Sequence, residues 1–153
     1  YIAEIMIHED VLVGGEESGG LAVKGHIPER DGVWIGLLIL EFMAKTGKSL
    51  SELIQDVYDE IGTFAFERDD LHLSEDKKQS VMKACSDGVY TAFGTYEIIR
   101  TEDLDGYKFF VSEDAWVMVR PSGTEPVLRV YAEAPDSETA RAMLNAAHKT
   151  LLA

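Results

Sequence analysis

Apolar residues recur at helical spacing in several stretches of this chain. Leu50, Leu53, Ile54, Val57, Tyr58 and Ile61 fall on one helix face. Ala140, Met143, Leu144, Ala147 and Leu151 form a second such stripe near the end. The boundary residues agree with these patterns. Asp31 is placed to cap a helix over 32–46, and Gly47 to stop it. Ser49 and Glu52 have the spacing of a capping box for the next helix, which Gly62 ends. Ser74 caps a helix running to about Asp87, and Asp136, after Pro135, starts the last one. "YIAEIMIHED" reads as the end of a helix, "VLVGG" as a buried strand entering a glycine turn, and "LAVKG" as a short strand.

Beyond Gly62 the period changes. "TFAFERD" alternates as a strand does, and "TYEIIRTE", "YKFFVS", "AWVMVR" and "VLRVYAEA" read as four more. The order is strand, helix, four strands, helix. That predicts an α+β domain over 61–153, with helices on one face of an antiparallel sheet. Residues 1–60 do not complete a fold alone and read as the tail of an α/β domain. The chain opens at Tyr1 inside a helical pattern, which predicts a piece of a longer protein.

Composition narrows the function classes. A formal net charge of -14 argues against nucleic acid and anionic membranes, because both require a basic face. The longest apolar run, "VWIGLLILEFMA", is interrupted by Glu41 and is too short to span a bilayer. Cys85 is the only cysteine, so no disulfide can form within the chain, which fits a reducing, cytoplasmic setting.

Against that acidic background, "VRPSGTEPVLRVYAE" forms a local anion trap. Arg120 and Arg129 flank the turn, and Arg suits bidentate contact with a phosphate. Ser122 and Thr124 add hydroxyl donors, and Gly123 lets backbone N–H groups turn inward. The competing reading is a polar hairpin turn with two solvated arginines. A second loop, "GGEESGG", sets Glu16, Glu17 and Ser18 after a strand, where a carboxylate and a hydroxyl suit a polyol. Its plain alternative is a flexible acidic turn. His26 and Arg30 follow in "GHIPERDG"; His8, His72 and His148 have no partner constellation in the sequence.

Taken in order, "GGEESGG", "GHIPERDG" and "RPSGTEPVLRVYAEA" resemble the α-D-phosphohexomutase family, in its phosphoglucomutase and phosphomannomutase branch. The resemblance implies a four-domain enzyme, represented here by the end of its third domain (1–60) and its whole fourth (61–153). The fourth would have a TATA-binding-protein-like fold. It implies a phosphoserine enzyme that interconverts hexose 1-phosphate and hexose 6-phosphate through a bisphosphorylated sugar. By the same resemblance Glu16 and Ser18 would hold sugar hydroxyls, and Arg120, Ser122, Gly123, Thr124 and Arg129 the phosphate not being transferred. His26 and Arg30 would be the catalytic candidates. Two departures stand out. Gly20 occupies the position after Ser-Gly where many members carry a histidine. Arg30 falls where another branch has a lysine base, and a guanidinium that stays protonated suits electrostatic stabilisation better than proton abstraction. The family's phosphoserine motif and its Asp-x-Asp-x-Asp magnesium loop do not occur in this sequence. Mg²⁺ and the nucleophile would therefore sit on the preceding domains of the same polypeptide. The rival readings are a stand-alone phosphosugar-binding module and a structural domain whose loops bind nothing.

Overall fold

The computed structural model describes residues 2–16, 19–123 and 127–153. The chain divides into two units, Tyr1–Val57 and Tyr58–Ala153. The division falls within a helix, where the sequence reading sets the boundary at residue 60.

In the first unit, α1 (Ile2–His8) precedes a two-stranded antiparallel hairpin, β1 (Val13–Gly15) and β2 (Leu21–Val23). "VLVGG" is therefore not a buried strand. Its strand starts at Val13, and Leu12 and Val13 are 72% and 54% exposed. Among the described residues of β1 only Gly14 is partly covered, by Ile2 and Met6 of α1. Next come α2 (Gly32–Thr46) and α3 (Leu50–Ile61), which begins here and ends four residues into the second unit. The helix ends are set locally. Asp31 Oδ1 accepts the N–H groups of Val33 and Trp34, and Gly47, at φ 69°, donates to the Met43 carbonyl. At the next cap, Ser49 donates its backbone N–H to Glu52 Oε2 (2.8 Å), while Glu52 donates its own to Ser49 Oγ (3.4 Å). Among the described residues of this unit, Ala22 alone is a fully buried hydrophobic.

The second unit holds the core. Its five-stranded antiparallel sheet has the order β3 (Ala65–His72), β9 (Val127–Ala134), β8 (Trp116–Pro121), β7 (Tyr107–Phe110), β6 (Arg100–Glu102). Two helices, α4 (Glu75–Ser86) and α5 (Ser137–Leu152), and a small hairpin, β4 (Ala92–Phe93) with β5 (Tyr96–Glu97), complete it. Leu128, Val130, Ala132 and Ala134 of β9 join Val117 and Val119 of β8 in one apolar cluster. Val81 and Cys85 of α4 pack into that cluster, as do Ala140, Met143, Leu144, Ala147 and Leu151 of α5. The α5 residues form the stripe read from the sequence. Burial pushes the Cys85 thiol up to about 12, so it is a core residue rather than a nucleophile.

"TYEIIRTE" is not one strand. Ile98 donates to the Thr91 carbonyl and Ile99 to that of Phe110, so the chain changes partners between adjacent residues. The opposite sheet face is aromatic and cationic. Phe66 packs near Tyr131 and Trp116, and Lys108 lies 4.1 Å from the Trp116 ring centroid. Trp116 Nε1 donates to Glu133 at 3.0 Å.

His148, on α5, does have partners. Its Nε2 lies 3.6 Å from Asp69 Oδ2, and Arg141 bridges Asp69 and Glu67. Burial lowers its pKa below the usual imidazole value; Asp69 acts against that shift and Arg141 with it. The unfolded chain therefore takes up a proton that native His148 resists. The stability it contributes is fully present above about pH 6.5 and is lost as pH falls through the lower native value. The thermal midpoint is expected to fall on acidification below about pH 6.5, and His148→Gln should flatten that decline. An unchanged slope in the variant would exclude the assignment. The lowered carboxyls of Asp31, Asp70, Glu75 and Asp136 act in a separate window, at and below the ordinary carboxylate range.

Candidate functional site

Glu16 sits at the exit of β1. The turn between β1 and β2 is closed by Glu16 donating its N–H to Gly20 and accepting one from Gly19, at 2.9 and 3.0 Å. Gly19 adopts φ 87°, a conformation a side chain disfavours. The structure brings Arg30 to this loop across fourteen residues. Arg30 Nη1 donates to Glu16 Oε2 at 2.7 Å, and its Nε reaches Glu29 Oε1 at 3.4 Å. These carboxylates, Glu16 first, push the guanidinium further up in pKa, so Arg30 stays cationic. A Cβ at Gly20 would stand 2.7 Å from Arg30 Cδ. The stem of Arg30 therefore occupies the space that a side chain at position 20 would need. Ser18 and Glu17 lie outside the described residues.

His26 lies on the connection from β2 to α2. Its Nε2 is 2.9 Å from Asp31 Oδ2, and its ring stacks on Trp34 at 4.7 Å between centroids and 16° between planes. The sequence reading treats Asp31 as a cap alone and gives Trp34 no role. The available signal was stoichiometric: a capping carboxylate has a second oxygen, and a histidine stands five residues away. His26 also borders a cavity of about 250 Å³ with Glu9, Asp10 and Lys24. A second cavity, of about 580 Å³, is lined by Lys108, Trp116 and Glu133 on the aromatic sheet face. Neither cavity is lined by Glu16, Arg30 or Arg120.

The two arginines that flank the Ser122–Gly123 turn are set by strand register. Arg120 on β8 pairs directly with Arg129 on β9, and Pro121 with Leu128. Ser122 donates its N–H to the Val127 carbonyl at 3.0 Å, closing the hairpin just beyond. Directly opposed strand residues hold their Cβ atoms about 4.5–5.5 Å apart, and like charges there repel. An anion at the strand ends would relieve that repulsion. Carboxylates flank the pair. Asp105 approaches Arg120 Nη1 to 3.3 Å, and Asp70 is the β3 register partner of Arg129. The Asp70 carboxyl is held below the usual carboxylate range, first by the Arg68 side chain at 2.7 and 2.8 Å, with Arg129 contributing. Nothing local marks Asp105, because the stretch "DLDG" from Asp103 to Gly106 has the composition of an ordinary hairpin turn. The turn can sit against Arg120 because Gly106, at φ 96°, has no side chain; a Cβ there would stand 2.7 Å from the Val119 carbonyl. Gly123 follows Ser122 among the described residues; Thr124 lies outside them.

Two models of one family match in tandem. Residues 1–61 match phosphoglucomutase/phosphomannomutase α/β/α domain III, and residues 75–148 match the C-terminal domain of phosphoglucomutase/phosphomannomutase. The chain belongs to the phosphoglucomutase/phosphomannomutase family. Among relatives of this family, the phosphoglucomutase/phosphomannomutase of Thermococcus kodakarensis is 33% identical over 150 residues, covering 98% of this chain and 30% of the relative. The phosphoglucosamine mutase of Methanocaldococcus jannaschii is 34% identical over 143 residues, covering 94% of this chain and 30% of the relative. A solved structure from Thermus thermophilus, named as a candidate phosphomannomutase, superposes with a TM-score of 0.75 at 35% identity, over 99% of this chain and 29% of that one. The chain thus spans about 30% of the length of the curated relatives it matches.

Proposed function

We propose that this chain is the substrate-recognition end of a phosphohexomutase that interconverts hexose 1-phosphate and hexose 6-phosphate by way of a phosphoserine and a bisphosphorylated sugar. The observation that carries the reading is the Arg120–Arg129 register pair at the mouth of the Ser122–Gly123 turn. Two arginines paired in register beside a hydroxyl suit a dianionic phosphate better than any neutral ligand. In this proposal Thr124 adds a second hydroxyl, and the clamped phosphate is the one not being transferred. Fixing it restrains the sugar for in-line transfer, which is the positioning that phosphoryl transfer requires.

Glu16 and Ser18 take the sugar hydroxyls. Arg30 holds Glu16 by one carboxylate oxygen and supplies positive charge, and His26 moves a proton. In this proposal the second unit, a five-stranded antiparallel sheet with two helices, has a TATA-binding-protein-like fold. Magnesium stabilises charge on the phosphoryl group when bound. Among the described residues no three His, Cys, Asp or Glu side chains are grouped to hold a metal ion, and the proposal places it on domains outside this chain. The same holds for the serine nucleophile, so this chain alone is expected to turn over no hexose phosphate. The relatives are named for glucose, mannose and glucosamine phosphates, and the proposal extends to the phosphohexose they share. No helix among the described residues is long and apolar enough to cross a membrane. We place the enzyme in the cytoplasm on the reducing setting inferred from its single cysteine.

Titrating inorganic phosphate into the ¹⁵N-labelled chain tests the clamp. Shift changes should centre on Arg120, Ser122, Gly123, Thr124 and Arg129 and vanish in Arg120→Ala. Changes that survive that substitution, or spread over the whole surface, would exclude it.

A further inference from the structure

The two oxygens of Asp31 do different work. Oδ1 accepts the N–H groups of Val33 and Trp34 at 3.1 and 3.0 Å, which fixes the carboxylate to the first turn of α2. Oδ2 faces His26 Nε2 at 2.9 Å. The carboxyl is held below the usual carboxylate range, first by the Trp34 amide and next by His26. An ionised carboxylate accepts hydrogen bonds and cannot donate them, so the ring nitrogen facing it must carry the hydrogen. A neutral imidazole has one N–H. With that hydrogen on Nε2, Nδ1 keeps its lone pair. The Trp34 ring, stacked at 16°, holds the imidazole plane, and the His26 backbone N–H donates to the Val23 carbonyl at 3.2 Å.

We infer that Asp31 is a positioning residue that sets the tautomer of His26, so that Nδ1 is the ring atom that accepts the proton of a substrate hydroxyl. This rests on the proposed proton-transfer role of His26. The logic is that of any base oriented by a third group: the carboxylate selects the tautomer and stabilises the imidazolium that forms.

Asparagine at position 31 separates capping from tautomer control. Asn caps helices about as well as Asp, so α2 keeps its start through the amide oxygen. The amide NH₂ then faces His26 and forces Nε2 to accept. The hydrogen moves to Nδ1. Long-range ¹H–¹⁵N spectra of this chain at about pH 8.5, where an ordinary imidazole is neutral, read the tautomer directly. The His26 signals are identified by their loss in His26→Gln. The native chain should show Nε2–H and Asp31→Asn should show Nδ1–H. A native Nδ1–H tautomer, which needs no variant to observe, or the same tautomer in both chains, would overturn the inference. In the full-length enzyme Asp31→Asn should lower kcat tenfold or more with little change in KM, because the base is misprotonated while substrate contacts persist. A tautomer switch with unchanged kcat would retain the Asp31–His26 coupling and eliminate the proton-transfer reading of His26.

Discussion

Arg120→Ala in the full-length enzyme is expected to weaken binding of hexose phosphates by about tenfold to a hundredfold, while leaving unphosphorylated sugar almost unaffected. The loss corresponds to one charged phosphate contact, roughly 1.5–3 kcal/mol. On the proposed clamp it falls on the phosphate, because Arg120 and Arg129 are register partners across β8 and β9. Removing one guanidinium halves the clamp and leaves Arg129 flanked by its β3 partner Asp70. Glu16→Ala should do the reverse: hexose phosphates bind more weakly, and inorganic phosphate binds as before. Arg30 then loses its carboxylate partner at 2.7 Å, the group to which the proposal assigns the sugar hydroxyls. Calorimetry of both variants with glucose 1-phosphate and with inorganic phosphate separates the two loops. Loss of phosphate-ion binding in Glu16→Ala, with Arg120→Ala intact, would reverse the assignment.

Phe93→Ala should destabilise the second unit by about 3–5 kcal/mol. Phe93 is fully buried, with its ring 5.3 Å from that of Phe109 at 82° and 6.1 Å from that of Tyr90. Truncation removes both ring contacts and leaves a cavity beneath the β4–β5 hairpin. For a unit of this size the thermal midpoint should fall by roughly 10 °C or more. Leu104→Ala is the control, because Leu104 is 98% exposed, and it should leave the midpoint within a degree or two, as surface substitutions do. Circular dichroism melts of both variants provide the comparison. A Phe93→Ala midpoint close to that of the native chain would mean that the hairpin packs loosely on the core.

The expectations from the sequence that hold best are those whose cause is local. A cap is one side chain meeting N–H groups two or three residues away, so Asp31, the Ser49–Glu52 pair, Ser74 and Asp136 could be placed without knowing the fold. The α5 stripe was legible for the same reason, since its period is internal to the helix. Misreadings cluster where the partner is remote. "TYEIIRTE" has strand chemistry throughout, but nothing local tells Ile98 to bond Thr91 and Ile99 to bond Phe110. "VLVGG" looks buried because apolar composition signals a preference for burial, not whether another layer is present to provide it.

The candidate site divides the same way. The sequence by itself determined which chemistry was available: guanidiniums beside a small polar turn, a carboxylate between glycines, and a histidine ahead of a helix. Tertiary structure decided which groups meet. Strand register put Arg120 opposite Arg129, the Gly106 turn brought Asp105 to Arg120, and the return of the chain after β2 brought Arg30 to Glu16. The His148 cluster, outside that site, depends on distance in the same way: Arg141 and Asp69 are 72 residues apart and meet only when α5 packs beside β3. Side-chain chemistry is a property of single residues and can be read one residue at a time. Proximity between distant residues follows from the pairing of strands and the burial of helix faces, and those are fixed only when the whole chain has folded.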